Sequence, residues 1–196
     1  MEDFIQLETK ILSCRDCKNR FGFIPRPILF GNENSKIVQI SQAPSRNVHL
    51  TGKPFDDSTG KRLIKEWYKI DEKDFYNEDN FYITALSHCY PGKTKNGADR
   101  APPIYCARKW LLREISTINN QIFIIIGKKA ASFLFPNKTY EDLIFNNQYL
   151  NNKLTLVLPH PSPLNIKWFK EHPDFYEKRL IEIREEIKRV LYGNGK

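Results

Sequence analysis

Four short runs of this chain are almost continuously apolar and rich in β-branched residues: Lys36–Ser41 (KIVQIS), Phe81–Leu86 (FYITAL), Gln121–Ile126 (QIFIII) and Leu154–Leu158 (LTLVL). A strand with one wet face alternates apolar and polar residues, so a run without that alternation must be covered on both faces. Helical patterns lie between the runs, at Ser58–Tyr68, Ile104–Ile118 and Lys128–Phe135. A last helix is expected over Asp174–Leu191, where Leu180, Ile181, Ile183, Ile187, Val190 and Leu191 recur at helical spacing. Strands alternating with helices predict an α/β fold with a parallel sheet and helices on both faces.

In such sheets ligands bind beyond the carboxyl ends of the strands. The segments that follow the four runs read SQAPSRN, SHCYPGK, GKKA and PHPSPLN. Three of them combine Pro with polar residues and the fourth Gly with two lysines, as loops that present groups do.

The chain has 196 residues, enough for one domain spanning residues 1–196, and its 40% hydrophobic content is enough for a core. No run of about 18 apolar residues suggests a membrane span. The N-terminal MEDFIQLETK lacks the basic and apolar regions of a signal peptide, so a cytoplasmic monomer is expected. The net charge of +8 suits a polyanion, nucleic acid first, although a Lys- and Asn-rich composition alone also raises it.

Cys14 and Cys17 form a C-x2-C pair, and Cys89 and Cys106 follow far downstream. Four buried thiols are the plain reading of cysteines in a reducing compartment. The close pair favours a shared centre instead, either zinc or an iron–sulfur cluster.

In Pro159-His160-Pro161-Ser162-Pro163-Leu164-Asn165, three prolines hold a short loop nearly fixed. A histidine held there loses little entropy on meeting a ligand and can donate a hydrogen bond to developing negative charge. Phe55, in the turn-rich GKPFDDSTG, is either a core aromatic or a platform on which a base stacks.

The GKPF-x4-G segment, the Ala43-Pro44 pair at a strand end, the HPSPL loop and the cysteine quartet together resemble the uracil-DNA glycosylase superfamily, most closely its iron–sulfur-containing family 4 branch. The resemblance runs from Cys14 to about Leu191. It implies a three-layer α/β/α sandwich around a central four-stranded parallel sheet. It also implies a [4Fe-4S] cluster held by Cys14, Cys17, Cys89 and Cys106, with zinc as the alternative. Members flip a damaged nucleotide out of DNA and hydrolyse its N-glycosidic bond. By that likeness His160 stabilises the departing base, Phe55 stacks on it, and Gln42 is a catalytic candidate in the loop that lines the pocket and positions water, with backbone N–H groups near Gln42 and Ala43 facing the base. Leu164 falls where relatives insert an apolar wedge. Ser45, Ser162, Lys128 and Lys129 are the candidate phosphate contacts.

Two departures bear on chemistry. Gln42 stands where the branch has Glu, and Ala43 where the best-known type has a water-activating Asp, so this motif supplies no carboxylate. Asp56, Asp57 and His49 lie near enough in sequence to orient water. Ala85 stands where the family has a base-reading Asn. Ser87 is then a candidate for the base edge, since strand alternation points it with Ala85 and His88 away. A changed base preference is expected.

The reaction expected is monofunctional hydrolysis that leaves an abasic site. The competing readings are a DNA-binding member without turnover, an iron–sulfur electron carrier and a zinc-stabilised RNA-binding module. Neither Phe55 nor His160 lies near a cysteine in sequence, so the cluster is expected to act as a structural clasp.

Overall fold

The computed structural model describes residues 3–193. Five strands form one sheet: β1 (Ile37–Ser41), β2 (Phe81–Ala85), β3 (Ile122–Ile126), β4 (Gln148–Leu150) and β5 (Lys153–Leu158). Their order is β2-β1-β3-β5-β4. The four expected strands are all present and mutually parallel. The fifth, β4, is an addition to the expected four-stranded sheet and runs antiparallel to β5 at the edge. It is joined by Asn151 and Asn152, with φ of 51° and 60°. Positive φ at both central residues is what a two-residue type I′ hairpin requires, and Asn tolerates it. That Asn-Asn pair was the available signal for the hairpin.

Every residue of β2 and β3 is buried, so helices cover the sheet on both faces. Ser58–Lys61 continues as a π-helical segment, Arg62–Tyr68, and matches the expected helix. Ile104–Cys106, Ala107–Leu111 and Leu112–Glu114 form the second, which stops short of the expected Ile118. Lys128–Leu134 follows β3. The C-terminal helix, Phe175–Arg179 running into Leu180–Tyr192, buries Leu180, Ile183, Ile187, Val190 and Leu191. Arg184 Nε donates to the Trp67 carbonyl at 3.0 Å and ties this helix to the 62–68 segment. No helix among the described residues is long and apolar enough to cross a membrane.

Two N-terminal helices precede the sheet. Phe4–Leu12 buries Phe4, Leu7 and Ile11, one side of a helical repeat, and Asp3 caps its first turn. Asp16–Phe21 carries Cys17.

The register makes the parallel strands end level: Ser41 pairs with Ala85, Ile40 with Ile125, and Ile126 with Leu158. The loops that leave these ends therefore converge on one edge of the sheet.

Candidate active site

A cavity of about 490 Å³ opens at that edge. Its wall brings together Gln42, Ala43 and Ser45 after β1, Phe55 and Asp57 before the 58–68 helix, Ala85 at the end of β2, and His160, Ser162, Leu164 and Asn165 after β5.

The loop after β5 is braced from two sides. Asn165 Nδ2 donates to the His160 carbonyl at 2.7 Å, and Arg62 Nη1 donates to the Pro161 carbonyl at 3.1 Å. Ser162 caps the short Pro163–Asn165 turn by accepting from the Leu164 amide at 3.2 Å. Among the described residues no protein group hydrogen-bonds the His160 imidazole, which leaves both ring nitrogens for a ligand. Burial lowers the His160 pKa below the usual histidine value, and the Asp57 charge partly opposes this. The ring is therefore neutral near pH 7 and donates through one N–H. Leu164 is 93% exposed and lines the cavity.

Phe55 has φ 55° and packs edge-on against Phe75, with centroids 6.1 Å apart. This unusual backbone brings the Phe55 carbonyl against Gly60, where an added Cβ would lie 1.7 Å from the oxygen. The final Gly of GKPF-x4-G is thus needed for close approach of two backbone segments. Phe55 packs against the core and also forms part of the cavity wall.

Two sets of expected residues lie elsewhere. Ser87 is buried off the cavity wall, and its hydroxyl donates to the Cys89 carbonyl at 3.0 Å. Strand alternation does not carry to it, because β2 ends at Ala85 and the chain bends. Lys128 and Lys129 are exposed at the start of their helix and do not line the cavity themselves.

Tyr90, Asp99 and Arg100 join the wall without having been singled out in the sequence. They come from a small hairpin in which Lys93 pairs with Asp99 and Arg100 Nε donates to the Lys93 carbonyl at 2.9 Å. The Pro91-Gly92 turn was a signal for the loop, but only the fold brings it over the cavity.

Cys14, Cys17, Cys89 and Cys106 are all free thiols, and all but Cys14 are buried. Burial first, and then the neighbouring thiols, pushes Cys17 up to about 11 and Cys89 up to about 12. All four thus lie near one another, although two come from the N-terminal segment and two from beyond β2. Among the described residues no three such side chains are gathered tightly enough to hold a single metal ion. Zinc needs its sulfurs about 2.3 Å from one point.

The quartet also has supporting contacts. His88 is buried, with Nδ1 3.3 Å from Cys106 Sγ and Nε2 2.9 Å from Glu114 Oε2. The Glu114 carboxylate also accepts from Tyr82 at 2.8 Å and Thr84 at 3.1 Å. Burial is the largest influence on His88 and disfavours its cation, but the Glu114 charge and the hydrogen bonds to Cys106 and Glu114 together outweigh it and raise the pKa. Asp16, between the first two cysteines, accepts from Tyr105 at 2.7 Å and from Lys109 at 2.6 Å. These bonds hold the C-x2-C segment against the helix that carries Cys106.

The family model described as the uracil DNA glycosylase superfamily matches residues 28–184. A type-4 uracil-DNA glycosylase from Archaeoglobus fulgidus is 30% identical over 139 residues, covering 69% of this chain and 65% of the relative. One from Saccharolobus solfataricus is 28% identical over 141 residues, covering 69% of this chain and 60% of the relative. The chain thus spans just under two thirds of the length of these relatives. The matched span includes all five strands and every loop that lines the cavity, and by this match the chain belongs to the uracil DNA glycosylase superfamily.

Proposed function

We propose that this protein is a monofunctional DNA glycosylase that flips a deaminated base, uracil first, into the strand-end cavity and hydrolyses its N-glycosidic bond. The convergence of Phe55, Gln42 and His160 on one cavity carries this reading. Phe55 supplies a stacking surface, Gln42 an amide for the base edge, and His160 an N–H donor for the negative charge that develops as the base leaves. A donor directed at developing charge in other enzymes is worth about 3–4 kcal/mol. The relatives named as type-4 uracil-DNA glycosylases support uracil as the first substrate to test.

Leu164 fills the gap left by the flipped nucleotide, while Ser45, Ser162, Lys128 and Lys129 meet phosphates. DNA is then the partner, bound by a cytoplasmic monomer of one domain, and affinity falls steeply with salt. Ala85 sets a methyl group in the wall, so base discrimination rests on Gln42 and the backbone near it.

Cys14, Cys17, Cys89 and Cys106 would hold a [4Fe-4S] cluster. An all-thiol donor set suits it, and its several irons accept ligands spread more widely than one zinc ion does. When bound, the cluster supplies cross-linking of the chain rather than a reactive centre.

A base-release assay on oligonucleotides carrying uracil, hypoxanthine or xanthine tests the reading. Release of a free base with an intact abasic strand supports it. No release from any of them overturns it.

A further inference from the structure

The loop after β1 carries Gln42 and Ala43, and neither can take a proton from water. The sequence leaves Asp56, Asp57 and His49 as alternatives, and the structure separates them. The His49 ring lies against Tyr90, with centroids 6.0 Å apart, and is not on the cavity wall. Asp56 is not on the wall either, and its carbonyl accepts from Asn47 Nδ2. Asp57 does line the cavity, together with His160.

The Asp57 side chain is held in place. Gly60 N–H donates to Oδ1 at 2.9 Å and Ser45 Oγ donates to Oδ2 at 3.3 Å. Each carboxylate oxygen keeps a further acceptor site. Asp99 is the other carboxylate on the wall, but Lys93 and Tyr90 both engage it at 2.9 Å. The charge of Asp57 is also felt at His160.

Breaking an N-glycosidic bond leaves negative charge on the base and positive charge on the sugar. Oxocarbenium-like sugars are met by carboxylates in glycoside hydrolysis. His160 can serve the base, and the sugar needs a group of opposite sign. We propose that Asp57 is the carboxylate that faces the sugar and orients the attacking water, an assignment that rests on the glycosylase reading. In this step the bond from C1′ to the base nitrogen breaks, and its electron pair leaves with the base. A water oxygen bonds to C1′ and gives its proton to Asp57, which passes it to solvent. The base anion takes a proton from solvent.

Asp57 also caps the Ser58–Lys61 turn, so the variant must keep the cap. Asn and Ser are both good caps. Single-turnover release of the preferred base is compared for wild type, Asp57→Asn and Asp57→Ser. Melting temperature is measured alongside, with affinity for DNA bearing a tetrahydrofuran abasic analogue. The expected result is a fall in rate of about 100-fold or more in both variants, as for loss of a general base, with affinity within threefold and melting unchanged. A wild-type rate in Asp57→Asn overturns the assignment. So does a rate loss matched by equal losses of affinity or stability in both variants, which would show a capping role alone. If wild type releases no base, the glycosylase reading falls as well; if wild type is active and Asp57→Asn equally so, only the role of Asp57 falls.

Discussion

Asn165 Nδ2 and the His160 carbonyl lie 2.7 Å apart, a bond that closes the loop after β5 on itself. Three prolines stiffen this loop, but stiffness alone does not aim a side chain. Asn165 fixes where the His160 backbone sits relative to the turn that follows. Asn165→Ala should cost about 1 kcal/mol of stability, the usual worth of such a bond. Small misplacement of a reacting group can cost far more in rate, up to about 100-fold. Single-turnover kinetics beside thermal unfolding check this; equal rates for variant and wild type would show that the prolines suffice.

His160→Ala should lower base release by about 100- to 1,000-fold, as removal of one charge-directed donor does elsewhere, with DNA affinity retained. The imidazole also gives a pH signature. Burial puts its folded pKa below 6.5, the ordinary value. As pH falls through about 6.5 the unfolded chain takes up this proton first, so the group's contribution to stability declines with acid until the folded pKa is passed. An NMR titration should place the His160 midpoint below 6.5, and Asp57→Asn should move it lower still by removing an attractive charge.

Leu164 should matter to DNA and hardly at all to folding. At 93% exposure its truncation removes little buried area. Leu164→Ala is expected to leave melting unchanged and to weaken release from duplex DNA more than from single strands, where there is no base stack to fill. Parallel assays on both substrates measure the ratio. Equal losses on the two would remove the wedge role.

Gly60→Ala is the sharpest backbone test. Its Cβ would meet the Phe55 carbonyl at 1.7 Å, so the Phe55 loop must move. Overpacking of this kind costs about 1–3 kcal/mol. Each kcal/mol lowers melting by about 2–4 °C in a chain of this size. Activity should fall with it, because Phe55 shifts relative to His160.

The clasp predicts an order of failure for the cysteines. Protein purified without oxygen should be brown, and Cys17→Ser should lose both colour and thermal stability. The bonds from Tyr105 and Lys109 to Asp16 remain in that variant and hold part of the N-terminal segment in place. A colourless wild type containing zinc would replace the cluster by a single ion and require the thiols to draw together.

Much of the framework was legible locally. An unbroken run such as IFIII can be a strand only where both faces are dry, and that alone places β3 inside a covered parallel sheet. The helical spacing of Leu180, Ile183 and Ile187 marks the last helix for the same reason. The HPSPL loop and the GKPF segment were visible because prolines and glycines record backbone demands in the residues themselves. The edge hairpin was missed because β4 has only three residues, too few to show a period.

Local residue patterns specify the strands, the loops that follow them and the residue types those loops offer. Which of those residues meet depends on how the segments pack. Asp56 and Asp57 are adjacent in the chain, and only Asp57 lines the cavity. Ser87 leaves the pocket because the strand stops two residues before it. Tyr90, Asp99 and Arg100 reach the wall through a hairpin folded back over it. Local chemistry sets the conformation of each segment, but the direction of a side chain at the end of a strand depends on where the backbone bends and what packs beneath it.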